Sequence, residues 1–323
     1  MEYNNSVMIE HKYIVGIDFG TTNTVVTYTE AGVTENVESP IQTFRMPQLT
    51  NQGSVETQDV LPSVLFLPEA YDVSATGLSL PWDQNNDVAV GEFAKKRGGE
   101  IPARMVASAK SWLCHSLVDR NSPILPWKGA EEVSKLSPVA SCSRILRHIR
   151  DAWNHEFAFE GETARLEHQD IYLTVPASFD AVARELTVKA ANDAGLSAVT
   201  LLEEPQAAFY AWLESHDEDW RENVSKGDLV LVCDIGGGTT DFSLIRISEN
   251  EGDLDLERIA VGDHLLVGGD NMDLALSYFA ANKFQEKGKK LDNSQMSALI
   301  YKCRDAKEKL LSDNGITSTP VTV

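Results

Sequence analysis

The chain has 323 residues, a net charge of −21, 42% hydrophobic residues and 24% charged residues. That length allows two domains of ordinary size, each with its own core, and the composition is that of a soluble globular protein. The acidity argues against a nucleic-acid surface, which needs basic clusters, but not against ATP, because a local nest of N–H groups with Mg²⁺ can hold polyphosphate on an acidic protein.

No run of 18 apolar residues is present, so no membrane-spanning helix is expected. The N-terminus, MEYNNSVMIEHKY, lacks the apolar core of a signal peptide. Cys114, Cys142, Cys233 and Cys303 lie far apart without a CxxC pair, which disfavours a disulfide framework or a zinc site and fits a reducing, cytoplasmic setting.

In chain order, residues 13–28 (YIVGIDFGTTNTVVTY) read as a strand ending on Asp18, a turn through Gly20, Thr21, Thr22 and Asn23, and a second strand. From about residue 39 to 128 proline, asparagine and glycine rise, so residues 48–133 read as an inserted subdomain. Within it Met105–Leu117 has a helical pattern and carries Lys110, which taken alone is a solvated surface lysine. Ser137–Phe157 predicts a helix with Pro138 near its start and Ile145, Ile149, Ala152 and Trp153 at helical spacing; Arg147 and His148 fall on its wet face. His155 and His168 have no partner at ligand spacing and read as structural.

Residues 171–176 predict a strand, followed by a helix capped by Asp180 and ending near Asp193, with Gly195 just beyond. Strand 199–202 runs into Glu203, Glu204 and Pro205, and the helix Gln206–Glu214, rich in alanine and aromatics, reads as buried. A carboxylate at that helix mouth is worth about 0.3–1 kcal/mol as a dipole effect alone. Ser215–Asp228 reads as a solvated acidic loop.

Residues 230–244 (VLVCDIGGGTTDFSL) repeat the first pattern: a strand, read as buried, ending on Asp234, then Gly236, Gly237, Gly238, Thr239, Thr240 and Asp241. Taken alone, three glycines fit a tight hairpin turn; paired with the upstream copy they suggest two lobes sharing a phosphate and its metal ion. Neither copy is a GxxxxGK[ST] loop, and no GxGxxG opens a helix. A hairpin turn is expected over Glu249–Asp255. Gly268, Gly269 and Asp270 open a helix over Met272–Phe284, where backbone N–H groups can meet an anion. Residues 294–311 predict an amphipathic helix, and TSTPVTV the start of a strand.

GIDFGTTNTVV at 16–26, LTVPASFDAVARELTVKAANDAGLSAVTLLEEPQAAFYAW at 173–212, VCDIGGGTTDFSL at 232–244 and VGGDNMD at 267–273 resemble, in order and spacing, the motifs of the DnaK-type heat-shock protein 70 chaperones. The wording AKSWLCH and LTVPASFD is closer to divergent bacterial members. The resemblance implies an α/β actin-like ATPase (ribonuclease H-like, duplicated) fold of two lobes with inserted subdomains, the second lobe incomplete. Residues 1–47 and 134–223 would form the first lobe core, 48–133 its insertion, 224–266 part of the second lobe core and 267–323 part of its insertion.

By the same resemblance, ATP or ADP would bind with Mg²⁺, with K⁺ as a further ion. Asp18 and Asp234 would hold the metal through its waters; Gly20–Asn23 and Gly236–Thr239 would wrap the phosphates. Lys110, Glu204, Asp241 and Thr239 would serve hydrolysis. Gly268, Gly269 and Asp270 would approach the phosphates, and Lys307 the adenosine. Pro176 and Arg184 match the family's relay from nucleotide state to a peptide-binding region, with co-chaperones and a nucleotide-exchange factor as further partners.

Arg304 and Glu308 depart from the family pattern around the adenosine, and the chain stops at Val323 before the family's glycine-rich adenosine motif. Tight ATP binding by this chain alone is therefore not expected, and a degenerate nucleotide-binding protein stays open. So do two other actin-like readings: a filament or scaffold protein, and a sugar or acetate kinase.

Overall fold

Alternation along residues 13–19 sets the first sheet. Strand β1 (Tyr13–Phe19) buries Tyr13, Val15, Ile17 and Phe19, while Ile14 and Asp18 lie on the other, exposed side. β1 pairs antiparallel with β2 (Asn23–Glu30), which pairs in turn with β3 (Gln42–Thr43). The computed structural model describes residues 11–32, 40–115, 117–127, 129, 132–216, 220–250, 253–263, 265–312 and 315–322. Residues 1–10, 33–39, 116, 128, 130–131, 217–219, 251–252, 264, 313–314 and 323 therefore lie outside the described residues, and with them the N-terminal segment, part of the acidic loop, the tip of the hairpin at 249–255 and the last position of TSTPVTV.

The next segment folds into small sheets. β4 (Met46–Asn51) pairs with β5 (Ser54–Gln58), and β6 (Leu61–Pro62) joins β2. β7 (Leu65–Phe66) sits between β8 (Ala89–Val90) and β9 (Met105–Val106), with α1 (Glu92–Glu100) beside them. Leu49, Phe66, Leu78, Phe93 and Met105 form a core cluster here. The helix expected over Met105–Leu117 shrinks to α2 (Ala109–Trp112). Met105 and Val106 are drawn into β9 by pairing with β7, and Ser108, at φ 55°, breaks the helical path.

α3 (Pro138–Glu156) covers the first sheet. Ser137 caps it by accepting from the Ala140 N–H, and Ile145, Ile149, Ala152 and Trp153 are buried as their spacing predicts. Trp153 stacks on Phe157 and meets Tyr13 and Tyr28 edge-on; such pairs add about 0.5–1.5 kcal/mol each beyond area burial. His148, expected on the wet face, is buried instead, because α3 also packs on β4: its Nε2–H donates to the Pro47 carbonyl at 3.1 Å.

β10 (Asp170–Val175) lies parallel to β1, and α4 (Ala181–Asp193) crosses over to the parallel β11 (Val199–Glu203). Asp180 caps α4 through the Ala183 N–H, and Gly195 follows its end at φ 89°.

α5 (Glu204–Ser215) leads past α6 (Trp220–Asn223), a short helix inside the segment expected as loop, to a second sheet. There β12 (Leu229–Ile235), β13 (Thr240–Asn250) and β14 (Asp253–Val261) run antiparallel. Neither α5 nor β12 is buried as their apolar content suggests. Tyr210 is half exposed, and Leu229, Leu231 and Ile235 are more than half exposed, the alternation of a strand covered on one face only. α7 (Gly269–Glu286) and α8 (Asn293–Ser312) pack as a pair. Residues 316–322 carry no strand; a β-ladder needs a neighbour to pair with, and none is made there.

Candidate functional site

The two glycine turns meet face to face. In the first, a Cβ on Gly20 would lie 2.3 Å from the Asn23 carbonyl oxygen, so this turn closes only on glycine. Ser63 braces it by donating from Oγ to the Gly20 carbonyl and from N–H to the Thr22 carbonyl, both at 2.8 Å. The second turn closes with the Gly236 N–H on the Thr239 carbonyl at 2.9 Å. A Cβ on Gly237 would lie 1.7 Å from Thr22 Oγ1, and one on Gly238 would lie 2.7 Å from Ser111 Oγ and 3.0 Å from Thr21 Cγ2. The glycines thus let the backbone of one turn lie against the hydroxyls of the other.

Carboxylates surround this junction. Asp18, at the end of β1, accepts from Thr174 Oγ1 at 2.9 Å, and the same hydroxyl accepts the Phe19 N–H at 3.1 Å. Asp234 and Asp241 are direct cross-strand partners of β12 and β13; Asp241 is buried, as is Thr239. Burial pushes the Asp234 carboxyl above its ordinary range; the charges of Asp241 and Asp18 add to this, against hydrogen bonding to Glu204.

Glu204 opens α5 and faces Lys110. Lys110 is buried, not solvated: its Nζ lies 2.5 Å from Glu204 Oε1, donates to the Thr174 carbonyl at 3.4 Å, and sits over the rings of Phe19 and Phe179. Burial raises the Glu204 carboxyl, Lys110 opposes that, and Asp234 and Asp18 add to it. Lys110 is thus set among four carboxylates, Asp18, Asp234, Asp241 and Glu204, whose mutual repulsion favours a further positive charge.

The residues present fit a phosphate with its metal ion on two observations. Thr22 Oγ1 is buried without a hydrogen-bond partner in the cradle between the turns, and the surrounding oxygens are of the hard type that Mg²⁺ prefers, mostly through water. Among the described residues no group of three or more His, Cys, Asp or Glu side chains is placed to ligate a metal directly.

The start of α7 is used differently from the anion-facing arrangement expected. The Gly269 N–H donates to the Gly236 carbonyl at 3.0 Å and the Asp270 N–H to the Gly237 carbonyl at 2.7 Å, so these groups clamp the second turn. Asp270 accepts from Ser108 Oγ at 2.7 Å and pairs with Arg304. Lys307 lies 2.7 Å from Asp273 and donates to the Gly269 carbonyl at 3.2 Å, and Arg304 bonds Asp273 at 2.8 Å. Glu308 reaches Lys95 of α1 at 3.1 Å.

Arg184 ties the Ala177 and Phe179 carbonyls to Glu203, which Arg258 of β14 also bonds. Ser108, Ser111, Thr174 and Glu203 join the site without having been singled out by sequence. Thr174 stands within the quoted 173–212 motif, and the parallel pairing of Ile17 with Leu173 is what brings it to Asp18.

Among the described residues no helix is long and apolar enough to cross a membrane. The α/β fold and the paired turns agree with the outcome of comparison with known proteins: the family described as Hsp70 protein matches residues 79–322. This chain belongs to the Hsp70 family. It is similar to the chaperone protein HscA homolog of Pseudoalteromonas atlantica, 30% identical over 321 residues, covering 95% of this chain and 43% of the relative. The HscA homolog of Tolumonas auensis is 28% identical over 319 residues with the same coverage, and HscA of Enterobacter sp. is 30% identical over 274 residues, covering 83% and 37%. The chain thus spans about two fifths of the length of the curated relatives it matches.

Proposed function

We propose that this chain is the nucleotide-binding, actin-like part of an Hsp70-type chaperone, holding Mg-ATP or Mg-ADP between two lobes. The observation that carries the reading is the buried Lys110–Glu204 pair, set where the two glycine turns meet among Asp18, Asp234 and Asp241. The first lobe core comprises 1–47 and 134–223, with 48–133 inserted; 224–266 form part of the second lobe core and 267–323 part of its insertion.

Asp18 and Asp234 would hold Mg²⁺ through its waters, and the backbone of Gly20–Asn23 and Gly236–Thr239 with the Thr21, Thr22 and Thr239 hydroxyls would hold the phosphates. When bound, Mg²⁺ neutralises charge on the phosphate oxygens. Lys110 supplies a point charge, fixed by Glu204 and the Thr174 carbonyl. Glu204 and Asp241 orient water, since positioning and electrostatics dominate phosphoryl transfer. The acidic cluster of Asp18, Asp234, Asp241 and Glu204 would also favour a further cation such as K⁺. Gly268, Gly269 and Asp270 act by holding the second turn in shape, and Lys307 by anchoring α8 near the adenosine.

Slow hydrolysis would regulate a client-binding region in the cytoplasm through Pro176, Arg184 and Glu203, with co-chaperone and nucleotide-exchange partners. HscA, the name of the relatives, is that of a chaperone, and family membership disfavours the filament and sugar-kinase readings. The test is phosphate release from Mg-ATP. Asp18→Ala and Thr239→Ala should each lower it by roughly 10²–10³-fold, the scale for losing one transition-state contact. Unchanged release in both variants overturns the assignment.

A further inference from the structure

Among the described residues Ser108 is the only non-glycine one with positive φ, at φ 55° and ψ 32°. This left-handed conformation is unfavourable for an L-residue with a Cβ, and serine gains nothing from it locally. The chain on either side is fixed. Val106 is buried in β9 and paired with Leu65 of β7; Ala109 and Lys110 are buried as the first residues of α2. Rotation of Ser108 out of the left-handed region would swing everything after it, because β9 before it is held by its ladder. The first charged group to move would be Lys110.

What opposes that rotation comes from the other end of the sequence. Ser108 Oγ donates to Asp270 Oδ2 at 2.7 Å, while Arg304 of α8 holds the other oxygen of the same carboxylate. Asp270 is in turn the residue whose N–H clamps the Gly237 carbonyl of the second glycine turn. The contact therefore joins three things: the strained backbone before Lys110, the start of α7, and the turn that faces Thr22.

We propose that Ser108 is a positioning residue: its bond to Asp270 holds the left-handed backbone that places Lys110, so that Lys110 is seated only while α7 lies against the 105–112 segment. Separation of the two halves breaks the bond, releases the strain and withdraws the Lys110 charge. The consequence for nucleotide rests on the proposed function; the coupling between Ser108 and α2 does not.

The test separates the two. Hydrogen exchange of residues 107–113 is measured on the nucleotide-free chain. Ser108→Ala and Asp270→Ala should each speed exchange by about tenfold. Ser108→Asn should match wild type, because asparagine tolerates the left-handed region and its amide can donate to Asp270. In the Asp270→Ala background Ser108→Asn should give only part of that rescue, the part that asparagine's tolerance of the left-handed region supplies without the bond. A general loss of packing would not follow that pattern. Unchanged exchange in Ser108→Ala, or full rescue by asparagine without Asp270, overturns the proposal.

Mg-ADP release, followed with a fluorescent ADP analogue, provides the second readout. It should be faster by a similar factor in Ser108→Ala and normal in Ser108→Asn. A wild-type chain that takes up no Mg-ADP would overturn the nucleotide reading alone, and the exchange order would still decide the role of Ser108.

Discussion

Lys110 Nζ and Glu204 Oε1 lie 2.5 Å apart, one on a four-residue helix before the α3 segment and the other at the mouth of α5. Each is the other's main charge partner in a site that also gathers Asp18 and Asp234. Removing one member of a buried pair leaves an uncompensated charge, which costs about 3–5 kcal/mol, whereas replacing both with neutral groups of similar volume is often close to neutral. Lys110→Met should therefore lower unfolding stability by about 3 kcal/mol, softened where Glu204 takes up a proton. Lys110→Met with Glu204→Gln should recover most of it. Urea unfolding of wild type, Lys110→Met, Glu204→Gln and the double variant checks the cycle.

Gly237 and Thr22 should show the same kind of coupling through shape. An added Cβ at 237 would meet Thr22 Oγ1 at 1.7 Å, and rotating that hydroxyl away leaves the Thr22 Cβ at 3.0 Å, still tighter than ordinary packing. Gly237→Ala should push the turns apart and cost about 1–3 kcal/mol, the usual range for overpacking. Thr22→Ala removes the obstructing oxygen and should return part of that loss. A double-mutant cycle by thermal unfolding should give a coupling of about 0.5–3 kcal/mol; strict additivity would show that the turns do not touch.

His148 predicts an acid-sensitive fold. Burial depresses its pKa to about 4 from 6.5, against the Pro47 carbonyl, which favours the proton. The folded chain therefore keeps His148 neutral where the unfolded chain protonates it, so stability is full above pH 6.5 and falls as pH drops from 6.5 to about 4. The loss is about 3 kcal/mol, at about 1.4 kcal/mol for each pH unit between those two values. His148→Gln keeps a donor for Pro47 and should flatten this part of the pH–stability profile.

Both glycine turns, the caps Asp180 and Gly195, and the apolar face of α3 were legible because each rests on local spacing. The places where sequence misled share a different cause. Lys110, which the family resemblance places in the site, looks solvated from its own segment alone until β10 and α5 bring Thr174 and Glu204 around it. His148 looks wet until β4 packs on α3. The helical pattern at 105–117 loses to the pairing of β9 with β7 and to the break at Ser108. β12 has the composition of a buried strand, yet only one of its faces is covered. In the first three cases a contact made across a long stretch of sequence overrides a local pattern, and in the last a cover that composition suggests is not made.

The central claim is that the facing turns and their carboxylates form a site for a metal-bound polyphosphate, and calorimetric titration of the folded chain with Mg-ADP tests it most directly. A weak but saturable heat is expected that vanishes on chelating Mg²⁺, is lost in the Asp18→Ala/Asp234→Ala double variant, and is not given by AMP. The absence of any Mg²⁺-dependent heat from wild-type chain, shown to be folded by its cooperative unfolding, would contradict the account.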